Sequence, residues 1–122
     1  MKTLFIYALL FFSLNSFGTV DEVVSALKNG NASQVSKYFD NTVELTLPDK
    51  SNSYSKSQAA LVLQDFFSTS GVKNFQVLHK GDNIGAQFCT GVLQTKSGQY
   101  RTTIYLKLKG DSYLLQEIKF EK

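Results

Sequence analysis

Between Ile84 and Lys122 the side chains change character every second residue, and that period leaves a chain few options other than antiparallel strands. The even positions carry Ile84, Ala86, Phe88 and Val92, then Ile104, Leu106 and Leu108, then Leu114, Ile118 and Phe120. The odd positions are mixed, with Gln87, Cys89, Leu93, Arg101, Thr103, Tyr105, Lys107, Tyr113, Leu115, Glu117, Lys119 and Glu121. Turn chemistry falls where three strands need it, at Lys96-Ser97-Gly98-Gln99 and at Gly110-Asp111. The expectation is a three-stranded meander whose even face meets a core and whose odd face meets mainly water. Ile104, Leu106, Ile118 and Phe120 are expected inside, with Arg101, Lys107, Lys119 and Glu121 outside.

A half-buried sheet needs a cover, and the first half of the chain supplies one. Thr19-Val20-Asp21-Glu22 has the form of a capping box, and Val20, Val23, Val24 and Leu27 recur at helical spacing. Asn31 is placed to cap a second short helix, running to Tyr38 or Phe39 and burying Ala32, Val35, Tyr38 and Phe39. Thr42 to Leu47 alternates like a strand until Pro48 removes a backbone donor, and Asp49 to Ser53 reads as a polar loop. Ser55-Lys56-Ser57-Gln58 is a second capping box, followed by the apolar stripe Ala59, Val62, Leu63, Phe66 and Phe67, with Gly71 as the stop. Val72 to His79 predicts a further strand with Phe75, Val77 and His79 on one face. Helices early and strands late argue an α+β fold rather than a parallel α/β one, and one early strand must join the late sheet across a long sequence separation.

The N-terminus is of another kind. Lys2 precedes an apolar run from Leu4 to Leu14, and Ser16 and Gly18 are small residues suited to a cleavage site. Residues 1–18 therefore read as a secretory signal peptide cut after Gly18, leaving 19–122 as one domain that is exported, periplasmic or extracellular. The apolar run is shorter than the roughly 20 residues a membrane helix requires, and no Cys stands at the cut for a lipid anchor. No membrane contact is expected after cleavage. Lys2 is the one charge in the leader, so its removal takes the net charge from +3 to +2. That balance, without a dense basic patch, gives no footing for nucleic acid. Cys89 is the single cysteine, so no internal disulfide forms and the core alone must hold the domain.

Several segments carry a resemblance. Tyr38-Phe39-Asp40-Asn41-Thr42-Val43-Glu44-Leu45-Thr46-Leu47-Pro48, Tyr54-Ser55-Lys56-Ser57-Gln58-Ala59, Asp65-Phe66-Phe67, Leu78-His79-Lys80-Gly81, Gly91-Val92-Leu93 and Gly98-Gln99-Tyr100-Arg101 resemble a family of small exported bacterial proteins of unassigned function. That family has a nuclear-transport-factor-2-like, or cystatin-like, cone. The resemblance spans residues 19–122 and implies a curved, mainly antiparallel sheet wrapped on N-terminal helices with a pocket between them. It implies no reaction.

Candidate chemistry is sparse. His79 is the sole histidine and the one side chain with an unperturbed pKa near neutrality. As a general base in the pocket it would suit a small hydrolyase or isomerase; as a strand-end residue it would bond the adjacent turn. Tyr38, Tyr54 and Tyr100, with His79, are the candidate ligand-binding residues, each tyrosine offering apolar area with a hydroxyl handle. Cys89 lacks a catalytic partner and reads as a small half-buried side chain. No metal-ligand spacing, phosphate loop, nucleophile elbow or dinucleotide fingerprint is present, so no cofactor and no metal are expected. The expectation is a non-catalytic binding module for a small apolar ligand or a protein partner, the alternative being the enzyme with His79. Leu93, Tyr105, Tyr113 and Leu115 are expected on the outer sheet face, as the interface of a homodimer.

Overall fold

The computed structural model describes residues 18–122, so the expected leader lies, apart from Gly18, outside the described residues. Helix α1 (Gly18–Lys28) and the single-turn α2 (Ala32–Ser36) are followed by strands β1 (Phe39–Leu47) and β2 (Lys50–Ser55). Helix α3 (Lys56–Ser70) then leads into β3 (Val72–Asn83), β4 (Ala86–Thr95), β5 (Gly98–Lys109) and β6 (Ser112–Glu121). One sheet holds all six strands in the order β2-β1-β6-β5-β4-β3. Every neighbouring pair is antiparallel except β1 with β6, the long-range parallel pairing.

Local chemistry explains most boundaries. Ser55 caps α3 by accepting from the Gln58 amide at 3.3 Å while the Gln58 side chain accepts from the Ser55 amide, and Gly71 closes the helix at φ +73°. Asn31 accepts from the Gln34 amide at 3.1 Å, but α2 ends at Ser36 and Phe39 already belongs to β1. Thr19 lies within α1 instead of capping it. The polar stretch expected as a loop after Pro48 is largely β2, which pairs with β1 across the two-residue turn Pro48-Asp49. Its alternation was invisible because a polar edge strand buries almost nothing.

The face assignment holds for β5 as far as Leu106 and for the end of β6, where Ile104, Leu106, Ile118 and Phe120 are fully buried, whereas Leu108, expected on the core face, is exposed near the end of β5. Arg101, Lys107 and Glu121 are exposed, whereas Lys119 is half-buried. In β4 the faces are reversed. The two-residue turn Lys96-Ser97 sets Thr95 opposite Gly98, which pairs odd residues of β4 with even residues of β5: Cys89 with Ile104 and Leu93 with Tyr100. Cys89, Leu93 and Gln87 are therefore buried, and Ala86, Phe88 and Val92 turn outward. Apolar residues stand on both faces of β4, so hydropathy alone could not choose between them. In β6, Gln116 is an extra residue at a register shift: Leu115 pairs with Leu106 on the core side, while Ile118 pairs with Ile104. Leu115 is buried and Leu114 is half-exposed. Ile84, expected in the core, occupies the β3–β4 turn and is fully exposed.

Candidate functional site

The space between helices and sheet is filled by aromatic rings. The stripe of α3 delivers Phe66 and Phe67 against β5 and β6, where Phe66 lies 4.9 Å from Phe120 and meets Tyr100 edge-on at 5.3 Å. Phe67 meets Phe120 edge-on at 6.0 Å. These are the spacings of favourable aromatic packing, and they make this end of the cone a packed core.

The four expected ligand residues do not converge. Tyr38 follows α2 and its hydroxyl donates to Glu22 Oε1 at 2.8 Å. Burial, followed by the bond to Glu22 and its charge, pushes the Tyr38 phenol up, so it stays protonated as a donor. Tyr54 sits on edge strand β2, half-buried against the core, with its hydroxyl 3.5 Å from Asn52 Nδ2. Tyr100 is buried at the foot of Phe66, and the Lys122 ammonium lies 5.6 Å from its ring centre. His79 is on the other side of the sheet. A register shift between Val77 and His79 leaves Leu78 as the extra residue; Val77 faces the core opposite Gly91, and His79 pairs with Thr90 facing outward. The expectation that Phe75, Val77 and His79 share a face fails at that bulge. The imidazole is exposed and touches the Phe88 ring at 5.7 Å. The far end of the Phe88 ring in turn occupies the space over Gly81 that a Cβ there would need.

Of the expected dimer residues, Leu93 and Leu115 are fully buried within this chain, and Tyr113 packs half-buried against its core. The β4 register and the β6 bulge remove them from the outer face. Tyr105 alone is exposed there, at 38%.

A shallow recess of about 290 Å³ remains beside the aromatic cluster, between the β1–β2 turn, the end of α3 and the β4–β5 turn. Its apolar wall is Leu47, Phe66 and Tyr100, and its polar rim includes Asp65, Thr69 and Ser97. Thr69 donates its hydroxyl to the Asp65 carbonyl at 2.6 Å. Tyr100 is thus an expected ligand residue that the fold places at this recess, while Tyr38 lines a separate one over the helix pair. Cys89 is buried, and burial, partly offset by the charge of Lys80, pushes its thiol up to about 11.

Sequence reasoning passed over one buried acid. Asp40 opens β1 with its side chain 9% exposed, where Oδ2 meets Lys109 Nζ at 2.6 Å and accepts from Gln116 Nε2 at 2.8 Å. Oδ1 accepts from the Asn41 amide at 2.7 Å. The bonds from Lys109, Gln116 and Asn41 hold the carboxyl down to about 2. Its donors come from β1, β5 and β6, beside the register shift between Phe39 and Glu44 that joins the parallel strands. With both oxygens engaged, Asp40 is a clamp on that junction. Among the described residues no group of three or more His, Cys, Asp or Glu is placed to hold a metal ion. Nor is any helix among them long and apolar enough to cross a membrane.

An α+β cone of this kind, with a curved six-stranded mixed sheet closed by N-terminal helices, defines a nuclear-transport-factor-2-like domain. The chain belongs to the family described as a domain of unknown function, DUF4783, which it matches over residues 20–121. A DUF4783 protein from Bacteroides ovatus is 32% identical at a TM-score of 0.79, with 83% of this chain and 92% of that chain covered. One from Bacteroides uniformis is 29% identical at a TM-score of 0.81, with 84% and 94% covered. A nuclear-transport-factor-2-like protein of unknown function from Cytophaga hutchinsonii, 12% identical at a TM-score of 0.59 with 84% and 86% covered, shares the fold alone. No curated protein matches.

Proposed function

We propose that residues 19–122 form an exported, non-catalytic binding module that receives a small, partly apolar ligand in the recess at Phe66 and Tyr100. The observation that carries this reading is the junction of an apolar wall with the hydroxyls and carboxylate of Thr69, Ser97 and Asp65 at one open recess. Such sites hold a ligand by apolar contact and orient it with a few polar groups. The lone histidine stands on the opposite face of the sheet from this recess, which favours binding over acid–base chemistry there. Export is supported by the sequence of residues 1–18, where Lys2, an apolar run and small residues before a cut after Gly18 have the form of a secretory leader. Native mass spectrometry of the protein purified from its own host tests the ligand. A bound small molecule that is lost when Thr69→Phe fills the recess is the expected result. Ligand-free protein, or an adduct retained by Thr69→Phe, overturns the reading.

A second copy is proposed as a partner on the outer sheet face, centred on Tyr105 with Phe88 beside it on β4. Tyr105 is the exposed large apolar side chain at the middle of that face, opposite Phe88 on β4 and Glu117 on β6. Sedimentation at micromolar concentration is expected to show a dimer that Tyr105→Ser dissociates. A monomer in both proteins removes this partner.

A further inference from the structure

On the other side of α3 from Phe66, two recesses of about 540 and 360 Å³ meet at Asn29 and Asn31, and together form a groove over the helix pair. Among the described residues Glu22 is the one charged residue lining either recess, and its carboxylate already accepts from Tyr38. The remaining polar lining consists of carboxamides and serine hydroxyls. The side chains of Asn29, Gln34 and Gln64 are exposed and make no hydrogen bond to another group among the described residues. The floor is small and apolar: Ala26 and Ala32 are buried, with Phe67 beneath Gln64 and Ser68.

A carboxamide presents a donor and an acceptor side by side. A sugar hydroxyl is likewise both, so neighbouring ring hydroxyls match a row of Asn and Gln side chains without requiring any charge. An anionic ligand finds no cation among the described residues of this lining, and a purely apolar one would strip water from carboxamides that gain no partner. The half-buried ring of Tyr38 at one end suits the C–H face of a pyranose ring. We propose that this groove is a binding site for a neutral oligosaccharide, with Asn29 and Gln64 on its two walls as the principal hydrogen-bonding residues. The site is separate from the recess at Tyr100, and neither proposal depends on the other.

The test is a ¹⁵N NMR titration of the mature protein with maltohexaose, cellohexaose, mannohexaose and chitohexaose. At least one is expected to give saturable shifts confined to the residues of the groove, including the side-chain amides of Asn29 and Gln64. The double variant Asn29→Ala, Gln64→Ala removes no structural bond and is expected to melt like the parent. It should weaken that sugar about tenfold or more, the loss anticipated for two hydrogen bonds worth roughly 1 kcal/mol each. Thr69→Phe, which fills the other recess, should leave the sugar affinity unchanged. Absence of saturable shifts with all four sugars, unaltered affinity in the double variant, or tighter binding of an uncharged Gly-Ser hexapeptide to the same residues would each overturn the assignment.

Discussion

Replacing Lys109 by Met removes the ammonium that sits 2.6 Å from Asp40 while keeping an apolar stem of similar length. The Asp40 carboxyl then retains Gln116 and the Asn41 amide but loses the largest contributor to its low pKa. In the native protein that pKa is about 2, against an ordinary value of 3.8. A folded-state pKa below the unfolded one gives stability that is fully present above about pH 4 and disappears as pH falls through about 2. At about 1.36 kcal/mol per decade the ceiling on this contribution is about 2.5 kcal/mol. Lys109 is half-exposed, so solvent screening brings its own share nearer 1 kcal/mol. Urea melts of parent and Lys109→Met at neutral pH and at steps between pH 4 and 2 measure it. The variant should be less stable by about 1 kcal/mol at neutral pH, and the gap should close towards pH 2 as the carboxyl protonates in both proteins. A gap that is absent at neutral pH, or that stays constant down to pH 2, would refute the assignment of Lys109 as the partner holding Asp40 ionised.

Phe120→Ala empties the centre of the ring cluster beside Phe66 and Phe67, and denaturant melts should show a loss of about 3 to 5 kcal/mol; a loss below about 1 kcal/mol is incompatible with its complete burial. Gly91→Ala would place a Cβ 2.4 Å from the backbone carbonyl of Gln76 and 2.5 Å from the Phe75 ring, so a cost of about 1 to 3 kcal/mol is expected, and a neutral substitution would mean that β3 and β4 are not so closely apposed. Cys89, buried with a thiol pushed up to about 11, should resist a disulfide reagent near pH 8 until the protein unfolds; rapid stoichiometric labelling of the native state contradicts that environment.

What was legible in the sequence follows from how each residue couples to its neighbours. The capping box at Ser55, the stripe from Ala59 to Phe67 and the alternation of β5 are local patterns that their own side chains determine, and all three are realised. The face of β4 is not local. It depends on a turn of two residues between strands, and a single residue more in that turn would have placed Phe88 and Val92 inside. The bulges at Leu78 and Gln116 are harder still, because nothing in Val77-Leu78-His79 or Leu115-Gln116-Glu117 announces an extra residue. Asp40 was passed over for a related reason: Lys109 and Gln116 are about 70 residues away, brought to it only when β1 pairs with β6.

These non-local features also decide what the chain is able to do. The bulge at Leu78 moves the sole histidine from the core face to the outer face, and with it the one side chain suited to proton transfer near neutral pH. The β4 register brings Leu93 against Phe75 and Tyr100, consuming in the interior an apolar side chain that would otherwise have enlarged the outer patch. Phe88 covers Gly81 instead of facing the helices, so the aromatic bulk of β4 lies with His79 and Tyr105 on the open side of the sheet. The same register choices therefore take the histidine out of the cone and leave the cone packed with Phe66, Phe67, Tyr100 and Phe120. The three surfaces proposed for binding therefore lie at the rim of the cone, over the helix pair and on the outer sheet, where side chains can change without repacking the core.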